Sequence, residues 1–309
     1  PLGIVGAMAL GGWNIDGAVQ GILITGAGSY IGVSLENYLG KWAENYRVDS
    51  LDMRGTDWES HSFRGYDAVF HVAGLVHQPD SKNDPARSDL YDQVNHILAV
   101  RTAEKAKADG VGQFLFMSSE SVYGLTAPIG KTVVITKDTP LHPADNYGVS
   151  KAKAEADLQA LADDSFKVAI LRPPMIYGKG CKGNYVTMAK LAKKLPVFPY
   201  VSNQRSMLYI EKLTEFVRLL IDDEAAGIFC PQNNEYTNTS DMVNWIAHAN
   251  GKGILMVRGF TWALKLLRFC SPAVDKAFGS LCYDHALSAY SRDYCVKTLE
   301  QSILETEKT

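Results

Sequence analysis

Tyr147 and Lys151 stand four residues apart in Asn146-Tyr147-Gly148-Val149-Ser150-Lys151. That spacing is about one helical turn, so a phenol and an ammonium project from one helix face. A free phenol, with a pKa of about 10, is a poor base at neutral pH. A lysine charge beside it favours the phenolate, and such a pair can take a proton from an alcohol. The plain alternative is a surface tyrosine beside a solvated lysine, and the elements around the pair must separate the two.

A glycine-rich turn lies upstream, in Gly21-Ile22-Leu23-Ile24-Thr25-Gly26-Ala27-Gly28-Ser29-Tyr30-Ile31-Gly32. Its first residues read as a short buried strand. The glycines then allow a tight turn and bring backbone N–H groups close to a pyrophosphate. A helix from about Ser29 to Tyr38 offers its positive end to the same phosphates. Gly26, Gly28, Ser29, Tyr30, Ile31 and Gly32 are the expected contacts. A second strand, Tyr46 to Leu51, ends at Asp52, whose carboxylate can accept from both ribose hydroxyls of NAD and would repel a 2′-phosphate. Arg54, two residues on, keeps NADP open.

Tyr66 to Gly74 is another apolar run ending in small residues. Gln113 to Ser119 is the next, and it delivers Ser118 and Ser119 at a strand's carboxyl end, where open α/β sheets place their ligands. Lys167 to Arg172 is a further strand, stopped by Pro173-Pro174. Helical patterns at Val94–Ala108 and Tyr147–Leu161 alternate with these strands. The expected fold class is therefore α/β, a Rossmann-type doubly wound parallel sheet with a smaller C-terminal substrate-binding lobe.

From Gly21 onward the sequence resembles the extended short-chain dehydrogenase/reductases that act on nucleotide sugars, the NAD-dependent epimerase/dehydratase family, and among them the UDP-glucose 4-epimerases. Thr25 to Gly32 is similar to the family's Thr-Gly-x-x-Gly-x-x-Gly turn. Gly26 and Gly32 match, whereas Ser29 stands at the middle glycine and Gly28 precedes it. Asp57-Trp58 matches the place that touches the adenine edge. Ala73-Gly74 matches the small residues beside the dinucleotide, and Asn95 an asparagine of the following helix. Ser118-Ser119-Glu120-Ser121-Val122-Tyr123-Gly124 resembles the active-site strand end, with Ser119 in the catalytic place. Leu171 to Gly178, containing Pro173, resembles the segment that runs past the nicotinamide. Arg205 to Glu211 resembles a motif whose arginine grips the diphosphate, a task that suits a guanidinium fork.

The resemblance implies a catalytic trio. Tyr147 takes a proton from a sugar hydroxyl, Ser119 bonds the same oxygen, and Lys151 holds the nicotinamide ribose. It also implies Glu120, Asn184 and Arg205 on the substrate side, with Asn184 closing the polar loop Lys179–Asn184. The favoured activity is 4-epimerisation of a UDP-hexose or UDP-N-acetylhexosamine through a 4-keto sugar. A nucleotide-sugar reductase and a 4,6-dehydratase are the alternatives. Dehydratases carry Thr-Asp-Glu where this chain has Ser119-Glu120-Ser121, and a serine cannot do the work of the second carboxylate. A non-catalytic NAD(P)-sensing relative, the alternative of another class, typically loses the tyrosine or the lysine, and both are present here. A steroid- or flavonoid-type oxidoreductase is a further rival, which Arg205 and the polar loop disfavour.

Composition agrees with this reading. The 309 residues suffice for one Rossmann-type unit, here 21–172 with 207–230 returning to it, and a substrate lobe at 173–309. A formal charge of -3 leaves no basic stripe for nucleic acid. The five cysteines are odd in number and lack Cys-x-x-Cys spacing, so neither a disulfide frame, zinc nor any other metal is expected. A reduced, cytoplasmic setting follows. Residues 1–20 carry a single charge and lack a basic leader region; they are set aside as an extension or remnant. Ile254 to Leu281 is strongly apolar but interrupted by Arg258, Lys265, Arg268 and Pro272, too short to span a bilayer. It is expected to pack over the substrate lobe rather than to face lipid. The resemblance implies a homodimer through the two helices Val94–Ala108 and Tyr147–Leu161.

Overall fold

Ile22, Leu23 and Ile24 are wholly buried, as a strand covered on both faces requires. They belong to β1 (Gln20–Thr25) in a computed structural model that describes residues 19–75, 85–269, 271 and 273–308. Most of the N-terminal extension, Cys270 and Pro272 lie outside the described residues. From β1 the chain passes through α1 (Tyr30–Leu39), β2 (Tyr46–Leu51), β3 (Ala68–His71), α2 (Pro85–Tyr91), α3 (Leu98–Ala108), β4 (Gln113–Met117), β5 (Thr132–Ile135) and α4 (Asn146–Leu161). It continues with β6 (Lys167–Leu171), β7 (Met175–Tyr177), α5 (Asn184–Lys194), β8 (Val197–Pro199), β9 (Met207–Tyr209), α6 (Ile210–Asp222), β10 (Gly227–Phe229) and α7 (Thr239–Ala249). The last elements are β11 (Leu255–Val257), α8 (Thr261–Leu267), α9 (Ala273–Phe278), β12 (Ser280–Tyr283) and α10 (Leu299–Glu307).

Six strands form the central sheet in the order β10-β6-β4-β3-β1-β2, every neighbouring pair parallel. The chain leaves β1 for β2 on one side and returns past β1 to β3. The order therefore reverses between β1 and β3, which is where a doubly wound sheet opens its ligand crevice. The two-residue period of a strand decides the layers. Ile22, Ile24, Phe70 and Leu115 pack with α1 and α6 on one face. Leu23, Val69, Phe114 and Phe116 pack with α3 and α4 on the other.

Most element ends lie within a residue or two of their expected places. The strand expected over Tyr66 to Gly74 is shorter, at Ala68–His71. The helix expected from Val94 continues a helical run that starts at Pro85 and passes through a π-helical stretch at Asp92–Ile97. The cap of α7 is Asn238, whose side chain accepts from the amides of Ser240 and Asp241.

Outside the central sheet, β5 pairs with β12, β7 with β9 and β8 with β11, all in parallel. Arg205 bridges Thr237 and Leu281, so the strand that follows α9 lies against the expected diphosphate arginine.

Candidate active site

The turn after β1 is built around contacts that only glycine fits. Gly26 has φ +125°, and a Cβ there would meet the Ala73 amide nitrogen at 2.7 Å. Both the Val72 and Ala73 amides donate to the Thr25 carbonyl, at 3.0 and 2.9 Å, so the ends of β1 and β3 are tied side by side. Gly32 lets α1 settle on β1, since a Cβ there would lie 3.1 Å from Ile24. Ser29 departs from the family glycine yet has a local task. Its backbone is extended and its hydroxyl accepts from the Gly32 amide at 3.2 Å, capping α1. Tyr30 and Ile31 open the helix, and the Tyr30 hydroxyl is buried against Gly178.

Asp52 follows β2. Its carboxylate accepts from the Arg54 amide at 3.0 Å and from Arg54 Nε at 3.0 Å. These bonds hold its pKa down at about 2, so it is ionised throughout the working range. Asp57 is exposed at the start of a short helical turn, while Trp58 is buried under Arg101 and packs among α3 residues.

The small residues after β3 sit beside Asn95 and Lys151. A Cβ on Gly74 would lie 2.9 Å from Asn95 Oδ1 and 3.4 Å from Lys151 Nζ. Asn95 is fully buried; its oxygen accepts from the Leu75 amide at 2.7 Å, and its nitrogen donates to the Leu75 carbonyl at 3.1 Å and to Ser150 at 3.2 Å. It therefore fixes the loop after β3 to α4. This close-fitting floor and the bare backbone turn over β1 fit a dinucleotide laid across the switch point.

Asp145 caps α4 by accepting from the Gly148 amide at 2.8 Å, which starts the helix one residue before Tyr147. Tyr147 and Lys151 then share a face. Tyr147 is hydrogen-bonded to Ser119, which caps the short turn Glu120–Tyr123 at the end of β4. Burial raises the phenol above its usual pKa; the Ser119 bond pulls it back, and Asp145 and Tyr91 push it up. The expected drop caused by Lys151 is not what this structure has. Lys151 Nζ donates to the Met117 carbonyl at 2.8 Å and lies 4.6 Å from the Phe116 ring centroid. Desolvation lowers its pKa to about 7, against an opposing pull from Glu155.

Behind this trio runs a buried polar network that sequence reasoning missed. Ser118 donates to Glu155, and Glu155 receives the Arg172 guanidinium at 2.6 Å. Arg172 also donates to the Tyr123 hydroxyl at 2.9 Å, and Tyr283 donates to the Arg172 carbonyl at 2.7 Å. The one available signal was Glu155 standing a further turn beyond Lys151 on the same helix face.

On the substrate side, the Glu120 amide donates to the Pro173 carbonyl at 3.0 Å, so the serine turn and the Pro173 segment are joined. Burial raises the Glu120 carboxyl to about 7, although Arg205 favours its ionised form. Arg205 is itself lowered by burial and donates to the Gly279 carbonyl at 3.4 Å. Glu120 and Arg205 thus meet electrostatically beside Ser119. Asn184 sits exposed in the first turn of α5. Among the described residues no group of three or more metal-ligating side chains occurs.

Comparison with known proteins agrees with this geometry. Over 282 residues the chain is 31% identical to the UDP-glucose 4-epimerase of Vibrio cholerae, covering 84% of this chain and 83% of that protein. It is 28% identical to the GDP-6-deoxy-D-mannose reductase of Pseudomonas aeruginosa, over 74% of this chain and 79% of that protein. The fold matches a dTDP-4-dehydrorhamnose reductase from Clostridium acetobutylicum with a TM-score of 0.71 at 19% identity, covering 93% of this chain and 98% of that one. The family described as NAD dependent epimerase/dehydratase matches residues 22–229, and the chain belongs to that family.

Proposed function

We propose that this chain is a nucleotide-sugar 4-epimerase acting on a UDP-hexose or UDP-N-acetylhexosamine through a transient 4-keto sugar, with NAD as its resident cofactor. The observation that carries the reading is the hydrogen-bonded Ser119–Tyr147 pair at the carboxyl end of β4, with Lys151 one turn behind it on α4. When bound, NAD supplies an acceptor and then a donor of hydride. Tyr147 takes the proton of the C4 hydroxyl as that carbon is oxidised, and returns it after the keto sugar has turned over. Ser119 holds the same oxygen and shortens the path of the proton. Gly26, Gly28, Ser29, Tyr30, Ile31 and Gly32 cradle the pyrophosphate. Asp52 takes the adenosine ribose, Asp57 and the backbone of Trp58 flank the adenine, and Ala73, Gly74, Asn95 and Pro173 line the nicotinamide end. Glu120, Asn184 and Arg205 face the sugar diphosphate.

The epimerase of Vibrio cholerae, at 31% identity over most of both chains, supports this choice, and Ser121 in place of a second carboxylate disfavours dehydration. A reductase is the second reading, favoured by the Pseudomonas aeruginosa relative and by the exposed Arg54 beside Asp52. Assembly as a homodimer through α3 and α4 belongs to the same proposal; Ile97, just before α3, and Val149, on α4, leave apolar surface exposed.

The test starts from protein purified without added cofactor, its released nucleotide identified by mass. A panel of UDP-hexoses is then followed by NMR at C4. Retained NAD and interconversion of C4 epimers support the epimerase. Consumption of added NADPH with a keto sugar would replace it with the reductase, and a 4-keto-6-deoxy product with the dehydratase.

A further inference from the structure

Among the described residues, 251–280 hold the largest group of exposed large apolar side chains. The expectation of a segment simply packed over the substrate lobe is only half met. Leu264, Val274 and Ala277 do pack against the main core. The opposite side of α8 and the turn after it carry Trp262, Leu266 and Phe269, a spacing of four and then three residues that aligns them on one helix face. Trp262 is 65% exposed and Phe269 84% exposed, and Phe260 adds to the patch beside them. A water-soluble surface rarely leaves so many large apolar side chains together without an occupant.

The charges around the patch say which occupant fits. Residues 251–280 contain Lys252, Arg258, Lys265, Arg268 and Lys276 against the single acid Asp275, although the whole chain carries a formal charge of -3. Asp275 is engaged by Arg268 at 3.1 Å. Arg258, Lys265 and Lys276 stand exposed. A second copy of the chain meeting this face about a two-fold axis would set these cations against themselves. An anionic lipid surface would attract them, and a bilayer interface is where tryptophan and phenylalanine settle with basic residues alongside. No described helix is long and apolar enough to cross a membrane, so contact is with the interface.

We infer that Phe260, Trp262, Leu266 and Phe269, flanked by Arg258, Lys265 and Lys276, dock the protein onto an anionic lipid bilayer. The patch is coupled to the substrate side through the chain itself. α9 runs directly into Gly279, whose carbonyl accepts from Arg205, so a docked protein holds its candidate diphosphate arginine beside the membrane.

The experiment is vesicle co-sedimentation of the full chain, with phosphatidylcholine alone and with phosphatidylcholine plus phosphatidylglycerol. It requires no substrate, so its failure is separate from failure of the epimerase reading. Binding is expected to the anionic vesicles, with a blue shift of tryptophan emission that Trp262→Phe removes. Trp262→Ser/Leu266→Ser/Phe269→Ser is expected to weaken binding more than tenfold. Lys265→Glu and Lys276→Glu each weaken it at least about fivefold, and added salt weakens it further. Because the altered side chains are exposed, the melting temperature of each variant should match that of the parent. Protein that stays in the supernatant with anionic vesicles overturns the inference. Equal binding by parent and patch variants overturns it too. So does a dimer, or a complex with an acidic protein, that the triple variant abolishes while vesicle binding persists.

Discussion

Lys151 Nζ lies 2.8 Å from the carbonyl oxygen of Met117, joining the second turn of α4 to the last residue of β4. That bond sets the candidate general base beside the strand that presents Ser119. It also leaves the ammonium in a poorly solvated place, where its pKa falls to about 7. Between pH 7 and the ordinary lysine value of about 10.5, the unfolded chain holds a proton that the folded one has released. Stability therefore rises with pH through that window, at up to about 1.4 kcal/mol per pH unit, and the full desolvation cost is felt below it. Lys151→Met should flatten this slope, raise the melting temperature at pH 6, and still remove activity. A parent melting temperature that does not climb between pH 7 and pH 10 relative to the variant would contradict the assignment.

The Ser119 bond lowers the Tyr147 pKa against burial and two neighbouring groups. Ser119→Ala should therefore move the phenol further up. The limb of kcat/KM that rises with pH should shift to higher pH, with the rate at neutral pH down by about 10²–10⁴, the usual worth of a positioned proton-transfer group. Tyr147→Phe should lose activity without losing bound dinucleotide. An unchanged pH profile in the serine variant would show that the two hydroxyls do not act together.

Much of this is legible in the sequence. The strand, turn and helix from Gln20 to Leu39 announce themselves through glycine spacing and an apolar run, and Tyr147 and Lys151 through helical period. What the sequence hid has physical reasons. The Glu155–Arg172 pair joins a helix to a strand 17 residues on, and nothing local marks either residue as buried. The lysine's lowered pKa depends on the Met117 carbonyl and Phe116 ring, which are far away in sequence. The apolar stretch after Ile254 reads as core because composition cannot say which side of a short helix meets solvent; the exposed face of Trp262 and Phe269 is a fact of tertiary packing.

Glu155 and Arg172 form a buried, hydrogen-bonded ion pair that also receives Ser118 and gives to Tyr123. Removing one partner strands a charge in a low-dielectric interior. Glu155→Leu or Arg172→Met alone should cost about 3–5 kcal/mol, whereas Glu155→Leu/Arg172→Met together should cost clearly less than the sum. Thermal melts of the four proteins give the coupling directly, and additive losses would show that the pair is not a unit.

His71 lies fully buried at the end of β3, bonded to the Thr25 hydroxyl at 2.8 Å and stacked near Phe114 and Phe116. Burial first, then the Lys151 charge, lowers its pKa from 6.5 to about 3. The folded state therefore refuses a proton that the unfolded chain accepts, and stability is lost as pH falls from about 6.5 towards 3. His71→Phe keeps the stacked ring and removes the titration, at a cost of about 1 kcal/mol for the abandoned Thr25 hydroxyl. Its acid unfolding midpoint, followed by circular dichroism, should lie below that of the parent even though its stability at pH 8 is slightly lower. Coincident acid midpoints would mean that other groups govern acid unfolding.

Asp52 and Arg54 hold each other beyond the end of β2, where the proposed function puts the adenosine ribose. The carboxylate, lowered to about 2 by the Arg54 guanidinium and amide, stays anionic at every working pH. An anion at that place accepts from ribose hydroxyls and repels a 2′-phosphate. Arg54 is largely exposed, so its guanidinium can turn from Asp52 to a phosphate without leaving a buried group unpaired. Asp52→Asn should therefore weaken NAD binding and improve NADP binding, because the repulsion goes while the arginine remains. Arg54→Ala should leave NAD affinity within about twofold and reduce NADP affinity by more. Titration of both dinucleotides into the three proteins, by fluorescence or calorimetry, checks the pair of expectations. If Arg54→Ala weakens NAD as much as NADP, the arginine serves to orient Asp52 and does not select the cofactor.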